Sequence, residues 1–262
     1  MSDLEIFWKD KPTIRKNILM VPTIDLGASA LVAAQSAYGK SKPVGRVLSK
    51  FQAQDVFNGV PDFSEPGWPI YAPNKSDWLI IEINSWPAVT THPDKVSDTW
   101  ILTYPVTTQL CKALREGGAE NLCYLTTTFA NEMFPDEAFP QVKRSRIYEY
   151  YFDGGSKSTS KAFLLPPAWM FPYMFNLHGG RSWVAFTGYK STDSVDELAA
   201  DTLYDYIEKL GVPVKRKNFD LAIERINDEM ADEAEAISIM DSLRKIPNKG
   251  DNENGTESML WG

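Results

Sequence analysis

The chain has 262 residues, of which 43% are hydrophobic and 12% aromatic, enough for one sizeable core. Its 27 Lys and Arg against 35 Asp and Glu give a net charge of −8, without the basic face that phosphate backbones require. It has no apolar run long enough for a membrane span, no signal-peptide pattern at its start, and only two cysteines, Cys111 and Cys123. We therefore expect a cytoplasmic protein that binds neither membranes nor nucleic acid.

The negative charge is concentrated near the C-terminus. From Asp220 onward there are 11 acidic and 4 basic residues, a net of −7, so the preceding residues carry 24 acids and 23 bases, about −1. An acidic helix is most often a solvated face, and the alternative is that it binds a basic partner surface.

In the first half of the chain, apolar runs alternate with helical segments. Strands are predicted at 17–21, 44–51, 77–83 and 121–128. A helix is predicted at 28–38, ended by Gly39, and another at 105–115, with Pro105 in its first turn. This order predicts an α/β fold, a three-layer αβα sandwich with a mixed, largely parallel sheet.

The second half is less regular. A surface excursion is predicted at 130–143, a strand at 146–152, a flexible segment at 153–161 and a last strand at 183–186. Prolines and aromatic residues are dense at 166–177, which indicates either a buried short helix or an intersubunit surface. Ser194 and Glu197 fit a capping box at the start of a helix that runs to Leu210.

A final acidic helix is predicted at 218–243, with a narrow apolar stripe. Its apolar residues recur at spacings of three or four: Ile223, Ile226, Met230, Ala234, Ile237 and Met240. Such a stripe most often packs on the parent domain, and an intersubunit helix pair is the alternative. The expected organisation is an α/β domain at 1–217, an acidic helix at 218–246 and a flexible tail at 247–262.

The tail ends in an apolar, aromatic cluster. Residues 247–258 contain no aliphatic or aromatic side chain and cannot bury enough apolar surface to offset the entropy of ordering, so they predict a flexible tether. Leaving Leu260 and Trp261 in water is unfavourable unless a pocket receives them. Leu260-Trp261-Gly262 is therefore a candidate docking peptide, whereas folding back onto the domain or simple fraying is the alternative.

A small-molecule site, if present, is expected where the strands of a parallel sheet end. The turn from Thr23 to Gly27 follows the first predicted central strand, so Thr23, Asp25 and Gly27 are the candidate ligand residues. A phosphate cradle needs several glycines, and this turn has one. Asp25 could act as a base, but a helix cap is the favoured interpretation.

Catalytic and metal-binding patterns are weak. The two histidines, His92 and His178, lie in turn sequences, and there is no HExxH, paired-cysteine or GxSxG motif. Cys111 is expected to be a buried, inert thiol. Glu82 and Asp94 could form an acid/base pair only if the fold brought them together. We predict no catalytic residue, metal or cofactor.

The order of motifs resembles the proteasome assembly chaperone two family. The strand NILMVPT, the turn with Gly27, the helix LGASALVAAQSAYG and the strand VGRVLSKF are similar to that family's opening. DWLIIEI, LCKALREGGAENLCYLTTT and the segment from WVAFTGYK to the acidic helix continue the likeness over roughly residues 5–243. Two departures are the single glycine of VPTIDLGAS and the aromatic segment 166–175.

The resemblance implies a fold like that of nucleoside phosphorylases and related hydrolases, without their catalysis. It also implies a homo-oligomer that acts as an assembly chaperone or adaptor and binds a proteasome α-ring or a similar multisubunit ring. Some relatives carry a hydrophobic–tyrosine–any residue tail, and Leu260, Trp261 and Gly262 would occupy those places, with Trp replacing Tyr. The alternative is an enzyme of this fold acting on a nucleoside-like or small carboxylate ligand at the Thr23–Gly27 turn.

Overall fold

The computed structural model describes residues 4–9, 14–23, 28–49, 56–57, 60–61, 67–83, 96–130, 142–152, 166–190 and 194–244. Its strands are β1 Leu4–Trp8, β2 Asn17–Pro22, β3 Gly45–Ser49, β4 Val56–Phe57, β5 Val60–Pro61, β6 Trp68–Tyr71, β7 Trp78–Ile83, β8 Asn121–Phe129, β9 Tyr148–Tyr151 and β10 Arg181–Tyr189. Its helices are α1 Ser29–Tyr38, α2 Val96–Glu116, α3 Pro166–Leu177, α4 Glu197–Lys209 and α5 Arg216–Arg244.

Eight strands form one mixed sheet in the order β1-β3-β6-β7-β2-β8-β10-β9, and β4 and β5 pair separately. The four central strands, β7, β2, β8 and β10, are parallel to one another. The flanking pairs β1–β3, β3–β6, β6–β7 and β9–β10 are antiparallel. The α/β class and the mixed sheet are confirmed, and the parallel part is the centre of the sheet.

Helices cover both faces of the sheet, as expected for a sandwich. On one face α2 and α3 pack on inward residues such as Met20, Ile81 and Tyr124. On the other face α1 and α4 pack on the alternate residues, among them Leu19, Ile80 and Cys123. Helix α5 lies outside that second layer and buries Phe219, Ala222 and Ile226 against α1 and α4.

Small side chains bring α1 close to the sheet and α5 close to α1. Ala30, Ala33 and Ala34 are fully buried in the core cluster that α1 forms with the sheet and α4. Gly39 ends α1 with a φ of 53°, and a Cβ there would lie 2.8 Å from the Asn218 side chain. The Asn218 amide instead donates to the Ser36 carbonyl oxygen at 3.2 Å. Gly39 therefore both ends α1 and admits the start of α5.

Two local predictions were wrong. Pro105 lies inside α2 rather than in its first turn. Burial of Val106, Leu110 and Leu114 at helical spacing stabilises the helix around a residue that costs about 3 kcal/mol in a helix interior. Ser194 is not the cap of α4, because the Asp196 side chain accepts from the Ala199 amide and the helix begins at Glu197. The last strand, predicted at 183–186, is longer and runs from Arg181 to Tyr189, because β8 pairs with its whole length, whereas β9 pairs only with residues 183–186.

The sequence left two alternatives open for the segment 166–177 and for the apolar stripe of the last helix, and the structure decides between them in part. The segment 166–177 is a helix, with Phe171 and Phe175 fully buried and Trp169 and Tyr173 exposed by 45% and 42%. The predicted stripe of α5 packs on the parent domain at Ile223, Ile226 and Met230. The side chains of Ala234, Ile237 and Met240 lie outside those described.

Candidate functional site

The central strands separate at their carboxyl ends, which is where ligands bind in sheets of this type. Strand β2 pairs with β8 only as far as Met20 opposite Tyr124. Beyond that point β2 continues beside β7 to Pro22, and β8 continues beside β10 to Phe129. After β2 the chain enters α1 on one face, and the helix next described after β8, α3, lies on the other. This carboxyl edge is the candidate small-molecule site.

The threonines of this edge are built into the fold. The Thr23 amide and hydroxyl both donate to the Ile83 carbonyl oxygen, at 3.0 and 3.1 Å, and so tie the end of β2 to β7. Thr126, Thr127 and Thr128 at the end of β8 are buried. Asp25 and Gly27, the other predicted ligand residues, lie outside the described residues, so their role stays a prediction.

A buried ion pair lies at the same edge. The Asp196 carboxylate accepts from the Ala199 amide at 3.2 Å, the Lys190 amide at 2.8 Å and Arg144 Nη1 at 3.3 Å. The Ser29 hydroxyl at the start of α1 donates to the Asp196 carbonyl oxygen at 3.1 Å. These bonds join β10, α4, α1 and the segment before β9. No local sequence pattern indicates this cluster, because Arg144 and Asp196 are 52 residues apart.

Glu82 is the second buried acid of this edge, on the face covered by α1. It is 6% exposed, and burial raises its pKa to about 7, although a Gln35 hydrogen bond and the Arg225 charge oppose that rise. Its Oε1 has no hydrogen-bond partner among the described residues. The predicted partner Asp94, and His92 beside it, lie outside the described residues. The partners that the structure gives Glu82 are on helices α1 and α5.

The two cysteine thiols are buried, and the backbone of His178 accepts a hydrogen bond from a neighbouring helix. Cys111 is fully buried with its Sγ 3.4 Å from the Phe171 carbonyl oxygen, and burial raises its pKa, so the thiol stays protonated. Cys123 is also buried, with its pKa raised for the same reason. His178 follows α3, and its carbonyl oxygen accepts from Arg115 Nε at 3.4 Å. The prediction that Cys111 is a buried thiol is confirmed, and Cys123 is buried as well.

In the part of the chain that the structure describes, no three His, Cys, Asp or Glu side chains could hold a metal ion together. Of the described helices, none is long and apolar enough to cross a membrane.

Exposed aromatic residues cluster where edge strand β9 meets helix α3. We call this the aromatic edge surface, and it consists of the exposed residues Tyr150, Trp169, Tyr173 and Leu177 and the partly buried Phe152. The rings of Tyr150 and Phe152 lie 5.0 Å apart edge to face, and those of Phe152 and Tyr173 lie 6.3 Å apart. Such a surface is typical of protein–protein contacts. The tail residues Leu260, Trp261 and Gly262 lie outside the described residues.

Comparison with protein-family models gives no match for this chain, and neither does comparison with curated proteins. Solved structures do match over nearly the whole chain. One is Pyrococcus furiosus PbaA, an archaeal homologue of a proteasome-assembly chaperone, at 16% identity and a TM-score of 0.55, covering 89% of this chain and 99% of that one. Another is Pyrococcus furiosus PbaB, an archaeal proteasome activator, at 15% identity and 0.56, covering 94% and 100%.

A Thermoplasma acidophilum protein of unknown function matches at 13% identity and a TM-score of 0.55, covering 91% of this chain and 93% of that one. At such identities the likeness concerns the fold. The resemblance stated from the motif order is confirmed at that level: the chain has the α/β fold of the archaeal proteasome-assembly chaperone homologue PbaA and the proteasome activator PbaB.

Proposed function

We propose that this protein is a non-enzymatic assembly chaperone or adaptor that binds a proteasome α-ring, or a similar ring complex, through Leu260, Trp261 and Gly262. The observation that carries the proposal is the fold shared over nearly the whole chain with PbaA and PbaB. The terminal cluster supports it independently, because an apolar end on a polar tether is what a docking peptide requires.

The tail acts as a tethered anchor. The Trp261 indole enters a pocket between ring subunits, Leu260 adds apolar contact, and the carboxylate of Gly262 is bound by backbone amides or a basic side chain. The 12 residues 247–258 give a reach of roughly 20 Å by flexible-chain scaling. One short tail has to order its tether for little buried area, so its own dissociation constant is on the order of micromolar or weaker.

Self-association makes weak tails effective. Several tails on one oligomer raise the avidity without any new contact, provided that the tethers match the spacing of the pockets. The aromatic edge surface supports a homo-oligomer, because it leaves Trp169 and Tyr173 nearly half exposed beside an edge strand. The inert thiols and the structural roles of Thr23 and Asp196 favour a binding protein over an enzyme acting at the carboxyl edge.

The test measures binding of the full chain to an immobilised proteasome α-ring. Trp261→Ala, deletion of residues 260–262 and extension beyond Gly262 are each expected to weaken binding at least tenfold, since truncating an aromatic anchor costs about 2 kcal/mol or more. Asn252→Ser in the tether is the matched control and keeps wild-type binding. Light scattering checks that every variant keeps the wild-type oligomer. Unchanged binding in all three tail variants would overturn the docking role.

A further inference from the structure

The buried acid Glu82 is connected to the outer helix α5 through a single side chain. Glu82 is on β7, opposite Val21 of β2, and faces α1. Gln35 of α1 forms a side-chain hydrogen bond with its carboxyl group. The other end of the Gln35 amide, Oε1, accepts from Arg225 Nη2 of α5. Because this oxygen faces Arg225, the amide nitrogen of Gln35 faces Glu82.

We propose that Glu82, Gln35 and Arg225 form a proton-controlled latch, in which the protonation of Glu82 weakens the attachment of helix α5 to α1. The ionised carboxylate accepts a hydrogen bond from the Gln35 amide N–H, which orients Oε1 of Gln35 toward the Arg225 guanidinium. The protonated carboxyl carries an O–H that needs an acceptor. Among the described residues, the neighbouring acceptor for this O–H is Gln35 Oε1. The Gln35 amide has to flip, exchanging its oxygen and nitrogen, before Oε1 faces Glu82.

Turning the amide breaks the contact with Arg225. The NH₂ group of Gln35 then faces the guanidinium, and two donors cannot bond each other. Arg225 keeps its bond to Glu229 Oε1 at 2.6 Å, but both residues are on α5, so that bond does not hold the helix to the domain. Protonation of Glu82 on a buried strand therefore breaks a hydrogen bond of the exposed helix α5, although Glu82 itself does not move.

Among the described residues, the charge that acts on the Glu82 carboxyl is that of Arg225, which forms an ion pair with Glu229 on the same helix. The titratable residues of α1 and β6 in the core cluster on the same face of the sheet are Tyr38 and Tyr71, whose rings stack at 3.8 Å. Burial raises the pKa of Glu82 to about 7, so both forms of the carboxyl are populated near neutral pH.

The latch has an effect that general acid denaturation lacks. Because the folded pKa of Glu82 is above its ordinary value of 4.5, protonation stabilises the folded state as a whole. The same protonation removes one contact of α5. On going from pH 8 to pH 6 the global stability contributed by Glu82 therefore rises while the protection of α5 falls.

Hydrogen–deuterium exchange of the full chain tests the latch. Peptides covering residues 216–244 are compared at pH 8 and pH 6 after correction for the intrinsic exchange rate. We expect the protection of α5 in the wild type to fall about three- to tenfold at pH 6, as one charge-assisted hydrogen bond is lost. Asp201→Asn, which removes a different ion pair of α5, with Arg216, is the control and keeps the pH response.

Three variants make the outcome decisive. Glu82→Gln removes the pH response of α5, and Arg225→Met gives the low-protection state at both pH values. If Glu82→Gln does not fold, Gln35→Leu serves in its place, because it removes the relay and leaves the acid. A wild type whose α5 protection is independent of pH would overturn the latch, and so would a pH response that persists in Glu82→Gln or Gln35→Leu.

Discussion

Asp196 and Glu82 are equally buried acids at the same edge of the sheet, yet their surroundings differ. Asp196 is 5% exposed and Glu82 6%. Asp196 accepts from two backbone amides and from Arg144, so its charge is compensated by fixed donors. Glu82 has one side-chain donor, Gln35, and an oxygen without a hydrogen-bond partner among the described residues. At similar burial, Glu82 therefore has fewer donors than Asp196, and its pKa is raised because hydrogen bonds to the charged form do not offset its desolvation.

The largest expected effect comes from removing the well-compensated acid. Asp196→Ala leaves Arg144 partly buried beside an empty position, removes the cap of α4 and leaves the Lys190 amide without its acceptor. We expect a loss of about 3–5 kcal/mol in the free energy of unfolding, measured by urea titration. Asp201→Ala, which breaks an exposed ion pair with Arg216, should cost less than about 1 kcal/mol. Equal losses in the two variants would contradict the structural role of Asp196.

The second effect is a pH dependence caused by Glu82. Its pKa is about 7 in the folded protein against 4.5 ordinarily, so the folded state binds more protons between these values. Its contribution to stability is complete below pH 4.5 and is lost as the pH rises through 7, by up to about 3 kcal/mol. Glu82→Gln removes this loss, so the variant should become the more stable protein above pH 7.

Urea titrations between pH 5 and pH 8.5 measure that difference. Glu229→Gln is the matched control, since Glu229 is exposed and its ion pair with Arg225 lies within α5. The control should follow the wild type at every pH. If wild type and Glu82→Gln change in parallel over the whole range, Glu82 does not titrate in the folded protein as proposed.

The smallest expected effect concerns the hydrogen bond that the Asp196 backbone carbonyl accepts from α1. Ser29→Ala removes the hydroxyl that donates to the Asp196 carbonyl oxygen and leaves the carboxylate cluster in place. We expect a loss of about 1 kcal/mol, the ordinary value of one buried neutral hydrogen bond. Thr202→Ala removes a hydroxyl that bonds within the exposed face of α4 and should change the unfolding free energy by less than about 0.5 kcal/mol. If Ser29→Ala lost as much free energy of unfolding as Asp196→Ala, the hydrogen bond from α1, and not the Asp196 carboxylate, would be the main contribution of the cluster.

Local patterns were sufficient for the elements whose signals are local. The apolar run at β2, the glycine that ends α1 and the first half of the α5 stripe were predicted at the right places, because hydrophobic period and chain termination depend on near neighbours. The motif order led to the fold that the comparisons support. Strands β1 and β6 were missed, because each is short and is stabilised by pairing with β3.

The site residues divide in the same way. The terminal cluster Leu260-Trp261-Gly262 stays a prediction from the sequence, where an apolar end on a polar tether can be recognised without any folded context. The Arg144–Asp196 pair and the contacts of Glu82 with Gln35 and Arg225 depended on the tertiary structure. Each joins residues that are distant in the chain, and a carboxyl group acquires its donors and its pKa only when the sheet and helices bring those partners around it.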